Sequence, residues 1–172
     1  MNIARLVPAH AIAYRALMLE AYELDPDAFT SSVAERAALP LSWWESRLDE
    51  SPLAPELVFG AFEEGLLAGV AGLSFELREK ARHKATLFGM YVPPRFRNRG
   101  LGGQLVEAVL AEARARTGVM LVQLTVTDGN RAAQELYAQA GFVVFGVEPL
   151  AVAGGATFVS KVHMWRNLGK MR

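Results

Sequence analysis

The sequence predicts an α/β fold of the α+β kind, a mixed β-sheet with flanking helices in one domain. Two patterns carry that prediction. Between residues 57 and 92 three apolar, strand-like runs follow one another through short polar links, which makes an antiparallel meander. From residue 84 to residue 147 strand, helix, strand, helix and strand alternate, the signature of a parallel crossover arrangement. Length sets the scale: 172 residues at 52% hydrophobic composition bury a substantial single core but fall short of two ordinary domains.

Taken in order, a helix is predicted over 8–24. Ile12, Leu17, Leu19 and Tyr22 are mixed there with alanines and charges, and Pro8 suits a first helical turn. Asp25-Pro26-Asp27 stops it, because the residue before a proline avoids the helical region. A second helix over 41–48 follows Pro40, with Ser42 as its N-cap. Strands over 57–62 and 66–75 are joined by Glu63-Glu64-Gly65, a hairpin connection, and a third strand covers 84–92. After Pro93-Pro94, Leu101, Leu105, Val106, Val109 and Leu110 trace a helical stripe ending near Thr117-Gly118. A strand over 119–126, a helix over 131–140 stopped by Gly141, and a strand over 142–147 come next. A last strand over 157–165 precedes a basic tail.

Eighteen basic residues balance eighteen acidic ones, so no global field favours nucleic acid or an anionic membrane. The chain has no cysteine, which excludes disulfides, thiolate metal sites and a cysteine nucleophile. Residues 1–13 carry polar and proline punctuation and do not read as a signal peptide, and no apolar run has bilayer-spanning length. The expected compartment is the cytoplasm.

Chemistry concentrates in two passages. In the first, Tyr91-Val92-Pro93-Pro94-Arg95-Phe96-Arg97-Asn98-Arg99-Gly100-Leu101-Gly102-Gly103-Gln104, a strand runs through a basic glycine-rich turn into a helix. A helix N-terminus leaves N–H groups unpaired and carries partial positive charge, and glycines let the backbone approach a phosphate closely. Arg95, Arg97 and Arg99 offer charge-assisted bonds. A nucleotide P-loop would need Lys and Ser or Thr after its second glycine, and a dinucleotide fingerprint needs a different glycine spacing. A different phosphate ligand is indicated; taken alone, the passage also fits an exposed turn.

In the second passage, Thr127-Asp128-Gly129-Asn130-Arg131-Ala132-Ala133-Gln134-Glu135-Leu136-Tyr137, Asn130 follows a strand end and starts a helix. There its side chain can cap N–H groups or reach into a cleft. Tyr137 lies two turns later on the same side. In isolation it reads as a core aromatic with its hydroxyl at the surface.

Together these passages resemble the GNAT superfamily of N-acetyltransferases, with its Arg/Gln-x-x-Gly-x-Gly/Ala turn and following Asn…Ala…Leu-Tyr…Gly-Phe segment. Arg97, Gly100 and Gly102 fall on the first motif. Asn130, Ala133, Leu136, Tyr137, Gly141 and Phe142 fall on the second. The resemblance covers roughly 84–147 and implies an acyl-CoA N-acyltransferase fold with a centrally splayed sheet.

The resemblance further implies a coenzyme A site. Backbone N–H groups of Arg97, Asn98, Arg99, Gly100, Leu101, Gly102 and Gly103 would cradle the pyrophosphate. Met90, Tyr91 and Val92 would pair with the pantetheine arm where the sheet splays, opposite 124–127. Asn130 and Ala133 would border that arm, and Tyr137 would protonate the leaving thiolate. The strand before the turn offers no carboxylate base, so the base stays open. Glu76, Glu79, His83 and His163 read as surface or structural groups. Ser160-Lys161 replaces an acidic pair of some relatives, so their acceptor preference does not carry over. Trp43-Trp44 and Trp165 suit buried packing ahead of an acceptor pocket or subunit interface.

The implied protein is one N-acetyltransferase domain over 1–172, with acceptor-side helices over 8–48 and an acyl-CoA-binding core over 84–147. It would move an acetyl group from acetyl-CoA to a primary amine of a small molecule or polypeptide, in a ternary complex and without metal. No nucleic-acid or membrane partner is expected, and a homodimer is left open. The alternative is a non-catalytic acyl-CoA-binding sensor.

Overall fold

Strand β1 (Asn2–Arg5) leads through a 3-10 turn at Pro8–His10 into α1 (Ala11–Leu24). The computed structural model describes residues 1–169, so the end of the basic tail lies outside the described residues. On α1, Tyr14, Leu17, Met18, Ala21 and Tyr22 form the buried face, whereas Ile12 is exposed. Two short helices follow, α2 (Val33–Ala37) and α3 (Leu41–Ser46). The first is closed by a capping box. Ser32 Oγ accepts from the Glu35 N–H at 3.1 Å, and the Glu35 carboxylate accepts from the Ser32 N–H at 3.0 Å.

The meander is as expected: β2 (Glu56–Glu63), β3 (Leu66–Phe75) and β4 (Lys84–Tyr91) pair antiparallel in sequence. Then come α4 (Leu101–Ala115), β5 (Leu121–Thr127), α5 (Arg131–Gln139), β6 (Val143–Gly154) and β7 (Thr157–Asn167). The seven strands lie in the order β1-β2-β3-β4-β5-β7-β6.

Pro40, not Ser42, is the N-cap of α3, because Ser42 already lies inside the helix; two expectations about the sheet also need correction. Residues 2–5 show no period in so short a run, yet pairing of Ile3 with Ala61 and Ala4 with Gly60 on β2 makes them a strand. The crossover pattern holds for β4 and β5, which pair in parallel, but β6 is not β5's neighbour. β7 lies between them, antiparallel to both. The short connection Gly155-Ala156 turns β6 straight back into β7, and the hairpin docks through its second strand.

Each sheet face carries a core. On one, Leu101, Leu105, Val106, Val109 and Leu110 of α4 pack on Leu57, Leu73, Val122 and Leu124. On the other, α1 and α3 cover Val58, Val70 and Tyr91, with Trp44 fully buried among them. Packing both faces holds the sheet centre rigid, and a gap in that centre makes the site.

Candidate active site

β4 and β5 pair only at Lys84, Ala85 and Thr86, opposite Leu121, Val122 and Gln123. Beyond Thr86 the strands part. A bulge accompanies the parting: Val70 pairs with Tyr91 and Gly72 with Phe88, leaving Gly89 and Met90 opposite Ala71 alone. Gly89 takes φ of 58° there, a conformation that favours glycine. The β4 backbone edge facing the gap is thus free for a ligand.

Past Tyr91 the chain turns at Pro94–Phe96 and enters α4. Asn98 and Gly100 adopt φ of 62° and 76°, left-handed conformations of the kind that build anion-binding backbone turns. Among the described residues none of the N–H groups from Asn98 to Gly103 donates to a backbone acceptor; the first that does is Gln104, to the Gly100 carbonyl at 3.2 Å. A Cβ on Gly103 would meet nothing within 4 Å, while one on Gly102 would lie 3.1 Å from Leu136 Cδ2 and 3.3 Å from Met90 Cε. Gly103 opens onto free space, and Gly102 lets α4 and α5 approach. The concave row of free donors fits a pyrophosphate.

A groove of about 670 Å³ runs from this turn to the gap. Met90, Tyr91, Val92, Arg97, Asn98, Gly100, Leu101, Gly102, Gly103, Asn130 and Ala133 line it. The Tyr91 side chain itself is buried in the second core. Arg99 points elsewhere, to Glu63. The other two arginines are also paired: Arg95 with Glu20 at 2.6 Å, and Arg97 with Asp25 at 3.1 Å and with the Val92 carbonyl at 2.8 Å. All three guanidinium groups thus pin the turn to neighbouring elements, and the backbone donors supply the anion site.

Asn130 caps α5, its Oδ1 accepting from the Ala133 N–H at 3.2 Å, which leaves its amide nitrogen for the groove. Two turns on, Tyr137 is 6% exposed and packs edge-on against Phe142, ring centroids 5.9 Å apart. Burial pushes the phenol well above its ordinary pKa. It is therefore a proton donor throughout the neutral range and cannot serve as a base there.

Tyr137 faces a second cavity of about 690 Å³ that shares Ala28, Phe29, Met90, Thr127, Asn130, Ala133 and Leu136 with the groove and extends to Tyr22, Arg36, Arg47, Phe88, Lys161 and His163. The two spaces meet where the strands part. Phe88 projects here because its ring lies over Gly72, where an added Cβ would come 2.5 Å from the ring.

Of the four groups considered as a base, only His163 borders this cavity, its Nε2 3.0 Å from Glu148 Oε2. Glu76, Glu79 and His83 sit in the β3–β4 connection, at the far end of β4. Glu76 is held by Arg78 at 2.8 Å, which lowers its pKa to about 2. Trp44 is buried as anticipated, while Trp43 packs edge-on against Trp44 and carries the Arg36 and Arg47 guanidinium groups on its ring.

Sequence reasoning missed the wall between the cavities. Asp25-Pro26-Asp27, read only as a helix stop, lines the groove together with Ala28 and Phe29. Thr127 Oγ1 donates to the Asp27 carbonyl at 2.6 Å, and Lys161 Nζ reaches the Ala28 carbonyl at 3.5 Å and Thr127 Oγ1 at 3.3 Å. The Asp-Pro-Asp triplet signalled a turn but not its partner 100 residues away. Among the described residues no helix is long and apolar enough to cross a membrane.

Comparison with known proteins bears directly on this geometry. Residues 18–142 match the model of the Acetyltransferase (GNAT) family. The chain is 34% identical over 119 residues to the [ribosomal protein bS18]-alanine N-acetyltransferase of Salmonella typhimurium, covering 66% of this chain and 80% of that one. An acetyltransferase of the GNAT family from Streptococcus pneumoniae superposes with a TM-score of 0.85 at 27% identity, covering 98% of this chain and 99% of that one. A putative acetyltransferase from Salmonella typhimurium, solved with its cofactor acetyl-CoA, superposes with a TM-score of 0.82 at 22% identity, over 100% of this chain and 96% of that one.

Proposed function

Because the chain belongs to the GNAT family of acetyltransferases, whose model its residues 18–142 match, we propose that the donor-lined turn holds the pyrophosphate of acetyl-CoA and that Tyr137 is the general acid. The chain transfers an acetyl group from acetyl-CoA to an amine. The domain is single, with the acceptor entering from the side of residues 8–48 and the acyl donor bound by residues 84–147. A sensor without catalysis would need no buried phenol at the junction of two cavities.

One observation carries the assignment of roles: the unpaired N–H row, the parted strands and Tyr137 lie along one continuous path. The N–H groups from Asn98 to Gly103 neutralise phosphate charge from a helix start. The free backbone edge at Met90 on β4 and at Val92 just beyond it orients the pantetheine arm by backbone pairing and aims an N–H at the thioester carbonyl, where charge develops. Asn130, at the start of α5, fixes the arm from the opposite side of the gap. Holding donor and acceptor together in the gap supplies the largest part of the rate gain, by converting an encounter into a positioned reaction. The amine attacks the carbonyl directly, with no acyl-enzyme; the C–S bond breaks, the thiolate takes the Tyr137 proton, and the proton shed by the amine nitrogen passes through water to restore the phenol.

Thiol release from acetyl-CoA, measured against a panel of amines, tests the activity. Calorimetric titration with coenzyme A tests the site separately. Saturable, amine-dependent release is the expected outcome; coenzyme A binding with no release for any amine would leave the sensor reading instead.

A further inference from the structure

No aspartate or glutamate lines the acceptor-side cavity among the described residues, whereas Arg36, Arg47, Lys161 and His163 all do. A site for a polyamine or an aminosugar needs the opposite charge, because cationic substrates are gathered and positioned by carboxylates. Three of the four basic groups already have structural partners. Lys161 is spent on the Ala28 carbonyl and Thr127, and His163 on Glu148. Arg47 has its Nε 3.4 Å from Glu56 and its guanidinium 5.0 Å from the Phe88 ring centroid.

Arg36 differs. Among the described residues it has no ion-pair partner, its Nε is buried without a hydrogen bond, and its side chain hydrogen-bonds the Tyr22 phenol. Its guanidinium carbon lies 4.5 Å from the Trp43 ring centroid, the same distance as that of Arg47. The two charges are thus at most twice that distance apart and are braced by one indole. A guanidinium braced on an aromatic face, with no carboxylate against it, suits a planar anion bound in bidentate fashion.

We infer that the acceptor is a free amino acid: a small molecule whose carboxylate docks on Arg36, assisted by Arg47, while its amine reaches the gap beside Tyr137. The inference rests on the acetyl-transfer reading of this cavity. Tyr22, Phe29, Phe88 and Phe145 make up much of the remaining lining, so the side chain accepted is uncharged and apolar. A cationic cavity also disfavours a second positive charge, so it favours the amine entering unprotonated. This suits a site whose adjoining strand carries no carboxylate.

The test compares L-methionine and L-phenylalanine with their carboxamides, a diamine, and a peptide with a free N-terminus and amidated C-terminus. All are assayed by thiol release with saturating acetyl-CoA. The free acids are expected to exceed their amides in kcat/KM by about 10- to 100-fold, the worth of a hydrogen bond to a charged group. Arg36→Gln should bring that ratio close to one, mainly through KM, and Arg36→Lys should retain part of it. An unchanged melting temperature and coenzyme A affinity would establish that these variants are folded. Equal turnover of acid and amide, or preference for the diamine or peptide, would overturn the inference and leave acetyl transfer intact. If no amine is turned over, calorimetry of the same amino acids with the enzyme–coenzyme A complex decides. Binding that Arg36→Gln abolishes supports the carboxylate site, and no binding overturns it.

Discussion

Gly103→Val separates the anion cradle from the packing around it. A Cβ at Gly102 would press on Leu136 and Met90 at 3.1 and 3.3 Å, so a substitution there disturbs the contact between α4 and α5 whether or not a cofactor binds. At Gly103 a Cβ meets nothing within 4 Å, and the residue lines the groove. Valine is also a somewhat better helix residue than glycine, so the folded state should lose nothing. The bulk instead occupies the space a pyrophosphate needs and shields the first N–H groups of the helix. Losing two charge-assisted bonds to phosphate oxygens costs about 3 kcal/mol, on the order of a hundredfold in Kd. The assay is calorimetric titration with coenzyme A, beside a thermal melt. An unchanged melting temperature with a hundredfold weaker affinity is expected. Unchanged affinity in the folded variant would refute the backbone cradle.

Arg99→Gln should change coenzyme A affinity by less than about threefold in the same titration, because its guanidinium is paired with Glu63 and an exposed pair contributes little. Trp44→Ala should cost about 3–5 kcal/mol in urea denaturation, since the indole is fully buried against Tyr14 and Trp43. Burial lowers the Lys161 pKa below its ordinary 10.5, partly offset by Glu148. The unfolded chain then holds that proton more firmly than the folded one, so this residue's contribution to stability rises with pH up to 10.5. Lys161→Met removes the dependence; its melting temperature relative to wild type should be most favourable near neutrality and decline toward pH 10.5.

The long periodic elements were legible because burial writes a period into the sequence. The α4 stripe from Leu101 to Val109 and the hairpin around Gly65 are cases where local pattern and final contact coincide. β1 and α2 were not, being too short to show a period; α2 could have been found from Ser32 and Glu35 alone. The order of β6 and β7 depends on which strand of a hairpin docks, and both strands are rich in apolar residues. At the site, the glycines and Asn130 announced themselves through turn and cap chemistry. The arginines misled in part: three cations in a turn suggested phosphate ligands, but Glu20, Asp25 and Glu63 come from distant elements and claim each of them. Arg36 carries no motif at all, and only the fold brings it into the cavity.

The central claim, that Tyr137 protonates the departing thiolate in the gap between β4 and β5, is tested most directly by single-turnover kinetics of Tyr137→Phe. The change keeps the buried ring and its contact with Phe142 and removes only the hydroxyl. With an acceptor identified and acetyl-CoA bound, the chemical step should slow by on the order of 10²-fold while coenzyme A affinity stays within about twofold. A chemical step as fast as that of the wild type would contradict the account and leave Tyr137 a packing residue.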